Sequence, residues 1–147
     1  MSPGAVDAAL VRRHLLALDD AVRRLRRHAG QPLAALEADA DAIWAVERGL
    51  QLCAQNVLDV ATHVAVSHGQ DTPDYAAAID ALQRIGALPA EFAARFRAIA
   101  GFRNVLVHGY LDVDLGRVHD LLNERLDDFG AFAAHVEAFL ARSSPSV

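Results

Sequence analysis

Apolar residues recur every three or four positions along most of the chain, which is the period of amphipathic α-helices. The first such stretch covers residues 5–29 and stops at Gly30, and a longer one lies between Pro32 and Ser67. A glycine after the last apolar position and a proline just beyond it are typical helix-stop signals. The pattern therefore predicts two helices in the first half of the chain, and one charged residue, Glu47, lies inside the apolar stripe of the second.

Three more helices are predicted after a polar loop. Thr72 is expected to cap the third helix, because threonine is a common N-cap residue. A fourth helix begins after Pro89 and continues to Arg103, and a last long helix covers residues 115–140, before a polar tail at 143–147. Because the connections are short, we expect a bundle of about five helices.

Composition supports the helical class and a single domain. The chain has 147 residues, which is the usual size of one domain. Hydrophobic residues make up 53% of it and aromatic residues only 6%, with alanine in nearly every segment, and this balance favours closely packed helices over sheets. We therefore expect one all-α domain over residues 1–147.

The charge balance limits the classes of function. A net charge of −5 argues against a protein that coats nucleic acid through bulk electrostatics, although it leaves room for a small local RNA site. No charge-free run of about 18 residues and no basic, apolar leader are present, so we expect a cytoplasmic protein without a membrane span. The single cysteine, Cys53, is expected to be a buried thiol. No complete set of metal ligands is evident, and we expect neither a metal nor a cofactor.

The most informative segment is Phe-Arg-Asn-Val-Leu-Val-His-Gly-Tyr, which contains Arg103, Asn104, His108 and Tyr110. It resembles the motif of HepT toxins in the HEPN superfamily, in which an arginine is followed after four residues by a histidine and after one more by a tyrosine. Similar features extend over about residues 47–139, among them Glu-Arg-Gly-Leu-Gln at the entry to the long helix and an Asp-Asp-Phe run near the end.

The resemblance implies a HEPN-like fold and a metal-independent endoribonuclease that acts as a homodimer. It also implies the toxin of a type VII toxin–antitoxin system, held in check by a small nucleotidyltransferase antitoxin of the MntA kind. In such systems the antitoxin transfers AMP onto the motif tyrosine, which is Tyr110 in this sequence.

The side chains of the motif suit the cleavage of RNA by its own 2′-hydroxyl. That reaction needs a base for the hydroxyl proton, an acid for the leaving 5′-oxygen and a cation at the phosphorane-like transition state. His108 titrates near neutrality and can act as base or acid, whereas Arg103 stays charged and can bind two phosphate oxygens. The RNA product would then carry a 2′,3′-cyclic phosphate.

Helix geometry adds a condition to this hypothesis. On an ideal helix Arg103 and His108 are about 140° apart, so one continuous helix presents them poorly to a single phosphate. We therefore expect either a helix end near Val107 or a cleft at a two-fold interface, where the motif helices of two chains face each other.

Each motif residue also has a purely structural interpretation. Arg103 would then form a surface or interface salt bridge, His108 a hydrogen bond near a helix end, and Tyr110 a half-buried anchor. Asn104 either orients His108 from one turn away or only caps and packs. Glu47 is expected to pair with an arginine, with Arg103 as the candidate across helices, and so to support the site indirectly.

Two other polar groups have roles that the sequence leaves open. Asp59 and His63 are four residues apart, which suits a carboxylate that orients an imidazole, two metal ligands or a polar surface pair. Arginines of the first helix either contact RNA phosphates or an acidic partner, or form a solvated face. They are Arg12, Arg13, Arg23, Arg24, Arg26 and Arg27.

Two functions therefore compete at the level of the sequence. The first is an endoribonuclease toxin that cleaves RNA, with tRNA as a candidate target. The alternative is a non-catalytic helical subunit that binds nucleotide or guides a partner nucleotidyltransferase. The first predicts RNA cleavage by the purified protein, and the second predicts a tight complex with the partner and no cleavage.

Overall fold

The computed structural model describes residues 5–108 and 114–143, apart from the side chains of Val105, Val107 and His108. Every regular element in those two ranges is an α-helix, which confirms the predicted all-α class. The helices are α1 (Ala8–Arg26), α2 (Leu33–Glu37), α3 (Ala40–Ser67), α4 (Tyr75–Arg84), α5 (Ala90–Phe96), α6 (Ala98–His108), α7 (Leu115–Glu124) and α8 (Leu126–Ser143).

The described ranges hold eight helices rather than the predicted five or so, because three predicted helices are each divided in two. The break between α2 and α3 lies at Asp39, whose side chain caps α3 by accepting from the backbone N–H of Ala42. Arg97 separates α5 from α6, and Arg125 separates α7 from α8. Apolar spacing continues across all three breaks, since both halves of each pair face the same core.

The start of α4 also differs from the prediction. The N-cap is Asp74, whose carboxylate accepts from the backbone N–H of Ala77 at 2.7 Å, and the helix begins at Tyr75. Thr72 lies in the preceding loop, so its assignment as the cap was wrong. Asparagine and aspartate are at least as good N-caps as threonine, and the aspartate lies nearer to the apolar stripe.

Helix α3 runs through the middle of the bundle and packs against α1, α4 and α6. Its buried face contains small residues such as Ala54, Ala61 and Ala65, which allow the neighbouring helices to approach closely. Cys53 is fully buried as expected, and burial raises the pKa of its thiol to about 12. None of the described helices is long and apolar enough to span a membrane.

The orientation of α6 is set by its own buried residues. Ile99, Ala100 and Phe102 face the core, whereas Gly101 and Asn104 are on the exposed side. Upstream of α6, Phe96 stacks on Phe132 of α8 with ring centroids 5.3 Å apart. Because Phe102 is buried, the next residue, Arg103, is turned towards the boundary between the core and the surface.

We expect Gly49→Ala to destabilise the fold by about 1–3 kcal/mol, because the added methyl group overpacks the contact between α1 and α3. A β-carbon at Gly49 would lie 2.6 and 2.8 Å from two side-chain carbons of Leu25, which is itself buried. Urea unfolding measures the change. The matched control is Gly130→Ala in α8, where a β-carbon meets no atom within 4 Å and the fold should gain about 0.5–1 kcal/mol. Equal stability of the two variants would contradict the close approach.

Candidate active site

Arg103 on α6 is held by a glutamine side chain on α3. Its Nε and Nη2 atoms both donate to Oε1 of Gln55, at 3.1 and 2.9 Å. Both residues are partly buried, so these hydrogen bonds are shielded from competition with water. Arg103 therefore has a defined orientation rather than that of a free surface arginine.

Gln55 is in turn fixed by a carboxylate one turn further along α3. Its Nε2 donates to Oδ1 of Asp59 at 2.8 Å. With the amide nitrogen engaged by a carboxylate, the amide oxygen is the atom left to face the guanidinium. Asp59, Gln55 and Arg103 form a relay of hydrogen bonds from α3 to α6, which we call the arginine relay.

Asp59 and His63 do not form the pair that their spacing allowed. Asp59 accepts from Gln55, while Nε2 of His63 accepts from the backbone N–H of Asp7 at 3.0 Å. The histidine therefore ties the start of α1 to α3. Across residues 5–108 and 114–143, no group of three or more histidine, cysteine, aspartate or glutamate residues is arranged to hold a metal ion.

The first residue of α4 supplies a second contact to the arginine. The guanidinium carbon of Arg103 lies over the ring of Tyr75, 5.3 Å from its centroid, within the range of a cation–π interaction. Nη1 of Arg103 also donates to Oδ1 of Asn104 at 3.4 Å. Three N–H bonds of the guanidinium are used by Gln55 and Asn104, and within the described part of the chain the others have no partner. They are free to donate to an anion.

The outcomes for the other motif residues differ. Asn104 is exposed, and its amide oxygen accepts from Nη1 of the adjacent Arg103, while both of its expected roles stay predictions. The backbone of α6 reaches His108, but the side chain of that histidine lies outside the described residues, and so does Tyr110. A contact between Asn104 and His108 stays a prediction, as do the roles of both of those residues.

The expected pairing of Glu47 with Arg103 was wrong. Glu47 lies eight residues before Gln55, which is about 12 Å along the helix axis at 1.5 Å per residue. Its side chain makes no ion pair or hydrogen bond within the described ranges, and partial burial raises the pKa of its carboxyl group. Gln55 occupies the position that Glu47 was expected to fill, so direct support of the site comes from a neutral side chain.

The arginines of α1 do not form a continuous basic surface. Arg23 pairs with Asp19 at 3.2 Å, Arg24 with Asp20 at 3.0 Å, and Arg26 with Asp127 at 2.8 Å. Three of the six arginines between residues 12 and 27 therefore pair with a carboxylate. This arrangement favours a solvated, salt-bridged face over a phosphate-binding stripe.

Gln55 and Tyr75 are the residues of the site that sequence reasoning missed. They lie 48 and 28 positions before Arg103, and neither belongs to the motif. The available signal was the series Gln55, Asp59 and Thr62, which places polar side chains at helical spacing along one face of α3.

Solved structures share this arrangement of helices. The tri-AMPylated HEPN toxin of Shewanella oneidensis, in complex with an MNT antitoxin, superimposes with a TM-score of 0.79 at 18% identity, over 88% of this chain and 97% of that one. A toxin–antitoxin complex with AMP-PNP gives 0.80 at 18% identity, over 88% and 98%. YutE of Bacillus subtilis, a cytosolic protein of unknown function, gives 0.82 at 16% identity, over 100% and 99%. The chain thus has a HEPN-like fold.

The sequence identifies the family of this chain, whereas the structural likeness shows only its fold. The family model described as ribonuclease HepT-like matches residues 18–136, which is most of the chain. The chain belongs to the HepT-like ribonuclease family, as the resemblance of its motif predicted. No curated protein matches the sequence.

We expect Gln55→Ala to release Arg103, because the variant removes the acceptor of two guanidinium N–H groups and the partner of Asp59. The cost should be about 1–2 kcal/mol in the free energy of unfolding, and the exchange of the Arg103 Nε proton, followed by NMR, should become faster. The matched control is Gln51→Ala, one turn earlier on α3, where the lost bond joins exposed Arg48. Equal costs and an unchanged Nε exchange rate would contradict the relay.

Proposed function

We propose that this protein is the toxin of a type VII toxin–antitoxin pair and cleaves RNA without a metal ion. Membership of the HepT-like ribonuclease family supports this proposal. The observation that carries it is the state of Arg103: a cation fixed by neutral partners, with N–H groups free to bind a phosphate, five residues before His108.

In the proposed reaction the substrate 2′-hydroxyl oxygen attacks the adjacent phosphorus, and the bond from phosphorus to the 5′-oxygen breaks. His108 removes the hydroxyl proton or protonates the leaving oxygen. Arg103 stabilises the charge that builds up on the non-bridging phosphate oxygens. The products are a 2′,3′-cyclic phosphate and a free 5′-hydroxyl, and tRNA is one candidate substrate.

A homodimer is part of the proposal. The outward face of α3 carries three exposed apolar side chains, Trp44, Leu52 and Val66, with exposed fractions of 79%, 37% and 51%. On an ideal helix all three lie within about 60° of Gln55, on a mixed face that also carries Arg48 and Asp59, and they are spread over about 33 Å of the helix axis. This face is the proposed interface because it combines exposed apolar side chains with the residue that holds Arg103. A second chain on this face would bring two motif helices together.

We further propose that a partner nucleotidyltransferase controls the toxin by transferring AMP onto Tyr110. The Shewanella oneidensis structure, which shares the fold, is of a tri-AMPylated toxin with its MNT antitoxin. A phenol hydroxyl two residues after His108 is close in sequence to the proposed catalytic group. Addition of a bulky anion there would repel and block an RNA phosphate.

We expect the purified protein to cleave RNA in the presence of EDTA, and His108→Ala to lower the rate about 10²- to 10⁴-fold through loss of the acid–base group. Cleavage of labelled tRNA and mRNA measures the rate, and circular dichroism checks that helicity is retained. The control is His28→Ala, which replaces a histidine beside α2 and α7. Cleavage by His108→Ala at the parent rate would refute the assignment, and a parent that binds its partner tightly without cleaving RNA would favour the non-catalytic alternative.

The chain has two tyrosines, which allows a matched test of the modification. With the partner nucleotidyltransferase and ATP, we expect mass increments of AMP on the parent and on Tyr75→Phe, but none on Tyr110→Phe. Tyr75 is partly buried beneath the Arg103 guanidinium and is a poor acceptor. Intact-mass spectrometry and peptide mapping give the result. AMP on Tyr75 with an unmodified Tyr110 would exclude the proposed site.

A further inference from the structure

A cleft of about 550 Å³ opens beside Arg103, between the C-terminal part of α3 at Thr62, the start of α4 and the exposed side of α6. This volume lies within the usual range for small-ligand sites, roughly 300–1,000 Å³. Two residues belong both to the cleft and to the contacts of Arg103, namely Tyr75 and Asn104. A phosphate bound by the free guanidinium N–H groups would therefore have its attached nucleoside at the mouth of this cleft.

The lining of the cleft combines an aromatic ring with polar groups. The ring is that of Tyr75, and Thr62, Thr72, Asp74 and Asn104 supply the polar atoms. Single-stranded RNA is read by a similar combination of aromatic side chains and hydrogen bonds to the base edge. One face of the Tyr75 ring is already covered by the Arg103 guanidinium, so a base would contact the part of the ring that lines the cleft. A cleft of this composition suits a nucleobase better than a lipid or a purely anionic ligand.

The donors and acceptors of the cleft favour one base. Oδ1 of Asp74 caps α4, and the second carboxylate oxygen has no partner among the described residues, so it can accept from N–H groups. The amide oxygen of Asn104 accepts from Arg103, which leaves its NH₂ group as a donor. Guanine presents two adjacent N–H donors beside a carbonyl acceptor on one edge, so it offers donors to this carboxylate and an acceptor to this amide NH₂ group, both of which line the cleft.

The wall formed by α6 has a gap at Gly101. A β-carbon at this position would have no atom within 4 Å, although the residue lines the cleft. The absence of a side chain therefore keeps the space beside Tyr75 and Asn104 open. A larger residue would fill the cleft without a clash against the rest of the fold.

We propose that this cleft binds the base next to the scissile phosphate, with guanine as the preferred base, and so determines where the RNA is cut. The inference rests on the proposed ribonuclease function. It assigns Tyr75, Asp74 and Asn104 to base recognition, while Arg103 binds the phosphate.

The test is cleavage of a randomised RNA pool by the parent and by Gly101→Leu, with the product ends sequenced. We expect the parent to favour guanine at one position beside the cut. Gly101→Leu should level that preference and lower kcat/KM on a guanine-containing oligonucleotide about 10- to 100-fold relative to a guanine-free one. The matched control is Gly130→Leu, the same change at an open helical position remote from the cleft, which should keep the parent profile. Thermal melting verifies that both variants fold. If Gly101→Leu does not fold, Thr72→Val takes its place in the test, because it removes a polar atom of the cleft with little change of volume.

A Gly101→Leu enzyme with the parent profile would overturn the proposal. If Gly101→Leu changes the oligomeric state but not the cleavage profile, the cleft is a contact between chains, and the proposal is also overturned. A parent preference for another base would overturn the assignment to guanine. If the parent cleaves no RNA, the proposed function fails, and calorimetric titration with guanosine 5′-monophosphate then decides on the cleft. Binding of the nucleotide by the parent and by Gly130→Leu, but not by Gly101→Leu, would support the cleft as a base-binding site. No binding by the parent would overturn that assignment.

Discussion

The candidate site depends on one amide group, that of Gln55, which joins the central helix to the motif helix. A carboxylate in the same place would hold Arg103 equally well but would neutralise its charge. The amide accepts two N–H groups and leaves the positive charge uncompensated. Asp59 contributes indirectly, because it contacts and orients the amide of Gln55 and does not contact the arginine. The relay thus fixes the position of the guanidinium without a carboxylate in direct contact with it.

The relay is useful only because both helices that carry it are rigid. Helix α3 is anchored along its length by buried small and branched side chains, and α6 by Ile99, Ala100 and Phe102. A functional group placed on packed helices is held more accurately than one on a loop. The burial of Phe102 fixes the rotation of α6, and this rotation directs Arg103 towards Gln55 and Tyr75. Core packing and site geometry therefore have the same origin.

The sequence was sufficient for the helical class, the family and the motif, because these depend on apolar periodicity and on residues close together in the chain. It was not sufficient for the partners of Arg103. Glu47 and Gln55 are eight positions apart, which places them about 80° apart around α3 and about 12 Å apart along it, and periodicity alone does not show which turn and side of α3 meet α6. The charge of Glu47 made it the expected partner of Arg103, whereas the packing of α6 against α3 brings Gln55 to the arginine. The helix breaks at Arg97 and Arg125 were missed for a related reason, since the apolar stripe continues across them.

The charge distribution is consistent with a substrate held by a few accurate contacts. The net charge is −5, and three arginines of α1 are paired with carboxylates, so long-range attraction would contribute little to the proposed binding of RNA. Under the proposed function, affinity and selectivity would then come from the surroundings of Arg103: a cation with no carboxylate in direct contact, an aromatic ring beneath it and a polar cleft beside it. An acidic protein that acted on RNA through such a site would bind poorly to nucleic acid elsewhere on its surface. Local geometry, rather than overall charge, would then determine which phosphate reaches the proposed catalytic groups.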